Sequence, residues 1–101
     1  MTFLAIDSQK MFMMQEKSSL EYQEVVYSSN LQTITQNLAD LSAAGKDMES
    51  NEVQELQYYQ QLFEQRQASI ESQLKVLNSE IESFDKAVTN NIKNECKLNM
   101  T

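Results

Sequence analysis

The sequence predicts an all-α protein, an elongated antiparallel hairpin of two long helices joined by a short turn. The chain has 101 residues, with one glycine and no proline. Because the turns of all-β and α/β domains draw heavily on glycine and proline, this composition nearly excludes both classes. Apolar residues also recur at alternating spacings of three and four, the period of a helix rather than of a strand. The length predicts a single domain over residues 1–101.

The first helix is predicted near residues 8–43. Asp7 or Ser8 could cap it, since a short polar side chain can accept a hydrogen bond from the free amides of a first turn. An apolar row with a seven-residue repeat runs through it, with a companion row three positions earlier. The two rows are Ile6, Met13, Leu20, Tyr27, Ile34 and Leu41, and Phe3, Lys10, Lys17, Glu24, Leu31 and Leu38.

A turn is predicted at residues 44–50. Gly45 follows the last periodic residue of the first half, where a left-handed helix cap favours a residue without a Cβ. Ser50 or Asn51 can then accept hydrogen bonds from the first amides of the next helix. Glu52 and Glu55 place negative charge in the first turns of that helix, as its dipole prefers.

The second helix is predicted near residues 51–97. It repeats the two-row pattern, with Leu56, Phe63, Ile70, Leu77, Phe84, Asn91 and Leu98 in one row and Val53, Gln60, Gln67, Leu74, Ile81, Val88 and Glu95 in the other. The weakest helical stretches are residues 28–30 and 89–91, which are rich in Ser, Thr and Asn.

Helices of these lengths would extend about 54 Å and about 70 Å, too long for a compact domain of this size. The favoured arrangement is therefore a hairpin, in which paired positions have numbers that add up to about 94. Leu20 then faces Leu74, and Lys10 lies beside Phe84. A single bent helix and a hairpin broken into three or four helices are the structural alternatives.

A second apolar stripe accompanies the seam. Leu4, Met11 and Val25 stand at multiples of seven, with Tyr22 one turn before Val25. Two slender helices cannot bury both stripes against each other, so we expect a self-binding or partner-binding face. The alternative is that this stripe widens the core of the chain itself or packs on the ends of the chain. The candidate residues are Leu4, Met11, Phe12, Met14, Tyr22, Val25, Tyr59 and Leu62.

The predicted function is therefore structural: a self-associating hairpin that forms a bundle or a filament-like assembly. The alternative is a small chaperone or adaptor that binds a hydrophobic helix of a partner protein. A net charge of -7 argues against nucleic acid as a partner. Lys86, Lys93 and Lys97 make the last residues locally basic, which suits a helix C-terminus or, alternatively, a dock for an acidic partner.

No pattern of catalytic residues is present. The chain lacks histidine and has one cysteine, Cys96, so the usual general base and the common nucleophile–base pairs are missing. One cysteine forms neither a zinc site nor an internal disulfide. We expect no enzyme activity, no cofactor, no metal and no small-molecule substrate.

The opening residues lack the long apolar core of a signal peptide or a membrane span. We expect cytoplasmic synthesis, with leaderless export left open. The layout resembles the Trp-x-Gly hairpin substrates of type VII secretion, although Ala43-Ala44-Gly45 supplies only the glycine of their turn motif. It also resembles the needle and inner-rod subunits of type III secretion, whose needle turn contains a proline that is absent here. These resemblances extend the assembly hypothesis to a secretion-type apparatus without assigning a family.

Overall fold

Two helices make up the protein. The computed structural model describes residues 3–99, and the side chains of residues 5–93. Helix α1 spans Phe3–Ala43 and helix α2 spans Asn51–Asn99. They pack antiparallel into a rod of 80 × 17 × 16 Å with a radius of gyration of 22.6 Å. The predicted all-α elongated hairpin is confirmed, and both weak stretches are helical, so neither the bent-helix nor the broken-helix alternative holds.

The predicted start of α1 is wrong. The helix begins at Phe3 and passes through Asp7 and Ser8, so neither residue caps it. Ile6 extends the seven-residue row by one more turn and is half-buried. Partial burial of Ile6 favours continuation of the helix, and no proline or glycine interrupts it.

The C-terminus of α1 ends in a glycine cap. Gly45 has φ of 77°, in the left-handed region that favours glycine. Its amide donates to the Ser42 carbonyl at 3.0 Å, and the Lys46 amide donates to the Leu41 carbonyl at 3.0 Å. This pair of bonds is a Schellman motif, which satisfies carbonyls left free at the helix end.

The start of α2 is fixed by Ser50. The Val53 amide donates to Ser50 Oγ at 3.4 Å, which selects Ser50 over Asn51 as the capping residue. Just before it, the Glu49 amide donates to Asp47 Oδ1 at 2.9 Å and tightens the turn. The helix then continues to Asn99, two residues beyond the predicted end.

The core lies along the seam between the helices. Among the described side chains, the six buried apolar residues all belong to the predicted seven-residue rows: Met13, Leu20, Ile34, Val53, Ile70 and Leu77. Val53 is almost completely enclosed, with 1% of its surface exposed. A core this narrow gives each helix a single covered stripe, and the remaining sides of both helices meet solvent.

Two contacts across the seam establish the pairing of the helices. Lys10 Nζ lies 3.0 Å from Asp85 Oδ1, one residue from the predicted neighbour Phe84. The rings of Tyr27 and Phe63 lie 5.6 Å apart, one turn from the predicted neighbour Gln67. The predicted register therefore holds to within about one helical turn.

Candidate interaction surface

The predicted binding residues on α1 are solvent-exposed. Met11 is 62% exposed, Tyr22 71% and Val25 66%. The alternative, that this stripe widens the core of the chain itself, is therefore wrong for these three residues. Phe12, Met14 and Tyr59 are exposed as well. Leu62 is half-buried, while the side chain of Leu4 lies outside the described residues.

Met11, Phe12, Tyr22 and Val25 belong to a continuous surface that we call the outer face of α1, the side turned away from α2. At 3.6 residues per turn, this face contains three of every seven positions along α1. Every member is exposed and none carries a charge: Ala5, Ser8, Met11, Phe12, Gln15, Ser18, Ser19, Tyr22, Val25, Val26, Ser29, Gln32, Thr33, Gln36 and Ala39. The first charged side chain at an equivalent position is Asp40.

The charged residues of the same stretch of α1 lie in the seam or beside it. Between Ala5 and Ala39 they are Asp7, Lys10, Glu16, Lys17, Glu21 and Glu24. Lys17 Nζ lies 3.9 Å from Glu21 Oε1, and Lys10 reaches across to α2. Four of these six side chains are exposed, so the charge of α1 reaches solvent at the edges of the seam and not on the outer face.

The corresponding side of α2 carries charge at both of its ends. Its charged exposed positions are Glu55, Lys75, Glu82, Lys86 and Lys93, and Lys86 Nζ lies 3.3 Å from Glu82 Oε1. From Tyr58 to Ser72 its positions carry no charge. A charged solvated face is what an unpartnered surface helix is expected to have. The two helices therefore differ in extent: the uncharged series runs from Ala5 to Ala39 on α1 and only from Tyr58 to Ser72 on α2.

The apolar side chains of the outer face form two patches. Met11 and Phe12 form the first, and Tyr22, Val25 and Val26 form the second. Within the second patch, Val25 and Val26 follow Tyr22 by three and four positions, so each is a neighbour of Tyr22 on the helix surface. Only small or uncharged polar residues separate the patches.

An aromatic chain connects the seam to the surface of α2. The Tyr27–Phe63 contact continues through Tyr59, whose ring lies 6.0 Å from that of Phe63. The rings of Tyr58 and Tyr59 follow at 5.5 Å, edge to face. Tyr58 is exposed, so this chain of rings ends in an apolar, hydrogen-bonding surface near the turn.

Shallow grooves run along one side of the seam. They have volumes of about 500 Å³ near the turn, about 320 Å³ midway and about 620 Å³ towards the open end. The groove midway along the rod and the groove towards the open end share Val76 and Glu80. The groove near the turn is lined by Glu52 and Tyr59, which stand at multiples of seven residues from Glu80 and so lie on the same side of α2. Their apolar lining comes from Met13, Leu20, Leu41, Leu56, Tyr59, Val76, Leu77 and Phe84.

Side chains that could bind a metal ion do not cluster in the described part of the chain. Among those residues, no three acidic or cysteine side chains come close enough together to hold a metal ion. Cys96 lies outside the described side chains. Neither α1 nor α2, over residues 3–99, contains a segment apolar and long enough to cross a bilayer. The expected absence of catalysis and of cofactors stays a prediction.

The protein is defined by its fold as a two-helix antiparallel hairpin. No protein-family model matches the chain, and neither a curated protein nor a solved structure does. The interaction surface is therefore argued from the chain's own residues.

Sequence reasoning from apolar residues alone found parts of this surface and missed its extent. The prediction named Met11, Tyr22 and Val25 but not the polar positions between them. The missed signal is the lack of charge, which is readable from the sequence once positions are sorted by seven. The grooves could not be predicted from the sequence, because their shape depends on the distance between the two helices.

Proposed function

We propose that the protein is a non-enzymatic structural component that self-associates through its helix faces into a bundle or a filament-like assembly. The observation that carries the proposal is the outer face of α1, which is exposed, free of charge from Ala5 to Ala39 and apolar in two patches. Contiguous exposed apolar surface on a soluble protein is typical of an interaction site.

The energetics support the same proposal. Ordering a chain costs roughly 1.5 kcal/mol per residue, and a small core leaves a domain near balance. Here six apolar side chains are buried among the described residues 5–93. Covering Met11, Phe12 and Tyr22 in an assembly would remove further apolar area from water, at about 25 cal/mol per Å². Association and folding would then stabilise each other.

Light scattering coupled to size exclusion tests the proposal, at micromolar concentration. The wild-type chain is expected to elute as a dimer or a larger species. A Met11→Glu/Val25→Glu variant should lose that assembly, because both substitutions place charge in the uncharged face. The matched control is Gln54→Glu/Gln65→Glu, which adds the same charge at exposed positions of α2.

Helical content measured by circular dichroism separates lost assembly from lost folding in these variants. A wild-type chain that stays monomeric at these concentrations contradicts the proposal. An assembly broken equally by the α1 and α2 substitutions also contradicts it, because general charge repulsion would then be the cause. Electron microscopy of the wild-type protein distinguishes a closed bundle from an open fibre, which depends on whether the rotation between copies closes.

The grooves beside the seam favour a second candidate function, a chaperone or adaptor for a partner's hydrophobic helix. Their lining by Leu41, Leu56 and Tyr59 near the turn suits an amphipathic helix laid into a groove. This candidate predicts that the Met11→Glu/Val25→Glu variant still binds the partner helix. A Leu56→Glu variant would instead lose that binding, with the wild-type chain monomeric in its absence.

A further inference from the structure

We infer that the partner on the outer face of α1 is a second copy of the same helix, docked antiparallel about a twofold axis between Ser18 and Ser19. This inference rests on the proposed self-association and adds to it the face, the orientation and the register. It follows from the order of residues along the face and from the placement of charge on the rod.

The outer face is self-complementary when it is reversed. A twofold axis between Ser18 and Ser19 places Met11 opposite Val26 of the second copy, and Phe12 opposite Val25 of the second copy. The first apolar patch of each chain thus covers the second apolar patch of the other. An isologous contact requires this property, since one surface must fit itself after a half-turn.

The residues at the axis permit close approach of the two helices. Ser18 and Ser19 are exposed and small, and the distance between packed helices depends on the side chains at their contact. On each side of the axis, Gln15 of one copy lies opposite Tyr22 of the other copy. An amide and a phenol can hydrogen-bond there, so the polar groups covered by docking can find partners.

Charge selects the antiparallel orientation. The turn end of the rod, residues 40–55, carries Asp40, Asp47, Glu49, Glu52 and Glu55 against the single cation Lys46. Parallel docking would bring these acidic ends together, whereas antiparallel docking separates the two turns by about 80 Å at 1.5 Å per residue. The uncharged outer face adds no repulsion of its own, because it meets an equally uncharged surface.

Single cysteines in a Cys96→Ser background test the register and the orientation. Ser18→Cys is expected to give a disulfide-linked dimer on mild oxidation, because the two introduced thiols lie beside the axis. Ser69→Cys, at an exposed position of α2, is the matched control and should stay unlinked. Donor and acceptor dyes on Lys46→Cys should show little energy transfer between copies, as expected for distant turns.

The outcomes separate this inference from the proposed function. A dimer that links through Ser69→Cys, or that shows strong energy transfer at Lys46→Cys, overturns the inference while self-association stands. A monomer under light scattering overturns both. Loss of the linked Ser18→Cys dimer after Met11→Glu, with helical content unchanged, would confirm that the patches beside the axis hold the two copies together.

Discussion

Lys10 Nζ lies 3.0 Å from Asp85 Oδ1 and joins the first turns of α1 to the distal part of α2. The contact occurs where the apolar row of α1 is interrupted by charge. Both side chains are about half exposed, so the pair fixes the relative position of the helices more than it stabilises them. It is the most direct marker of register in the described structure.

The Lys10–Asp85 pair predicts a modest, salt-sensitive coupling. Lys10→Glu should lower the free energy of unfolding by placing two acids together, and adding Asp85→Lys should restore part of it. A double-mutant cycle in urea should give about 0.2–1 kcal/mol at low salt and less at high salt. Zero coupling at low ionic strength would contradict the observed pairing of these positions.

Because the core is narrow, substitutions at two nearby positions of α2 should differ sharply in their effect on the free energy of unfolding. Ile70 is 4% exposed and Val76 is 58% exposed. Ile70→Ala should lower the free energy of unfolding by about 2–5 kcal/mol, and Val76→Ala should change it by less than about 0.5 kcal/mol. Denaturant unfolding at one fixed protein concentration is the measurement, since association also contributes to apparent stability. Equal losses of unfolding free energy for Ile70→Ala and Val76→Ala would contradict the observed position of the core.

The turn predicts a backbone cost at Gly45. Nothing lies within 4 Å of a Cβ built there, so a substitution meets no steric clash and only the left-handed φ is strained. Gly45→Ala should therefore destabilise the hairpin by roughly 1 kcal/mol, and Gly45→Asn by less, because Asn tolerates this conformation better. Thermal unfolding of the three proteins checks the order, and Ala43→Gly inside α1 controls for a general glycine effect.

The start of α2 predicts a capping contribution from Ser50. Ser50→Ala removes the acceptor of the Val53 amide and should cost about 0.5–2 kcal/mol. Ser50→Asp should retain the cap, since a carboxylate accepts the same hydrogen bond and suits the helix N-terminus. The control is Ser72→Ala, at an exposed position within α2. A cost at Ser72 as large as that at Ser50 would rule out capping as the cause.

Most of the fold could be predicted because local signals agree. The seven-residue rows identified the six buried apolar residues of the described part of the chain, and Gly45 and Ser50 fixed both sides of the turn. The start of α1 could not be predicted in the same way. Asp7 and Ser8 are good capping residues, but the helix continues past them to Phe3, where the half-buried Ile6 extends the apolar row.

The candidate surface could likewise be predicted only in part from the sequence. The sequence alone determined which residues are apolar at helical spacing, and it contains the charge-free series from Ala5 to Ala39. Only the tertiary structure decided that this series faces away from α2. Charges at Lys10, Lys17 and Glu24 obscure the choice, because either side of α1 could be read as the solvated one. Packing resolved it: Met13, Leu20 and Tyr27 pack with Ile70 and Leu77, and the opposite side of the helix, from Ser8 to Ala39, is exposed to solvent.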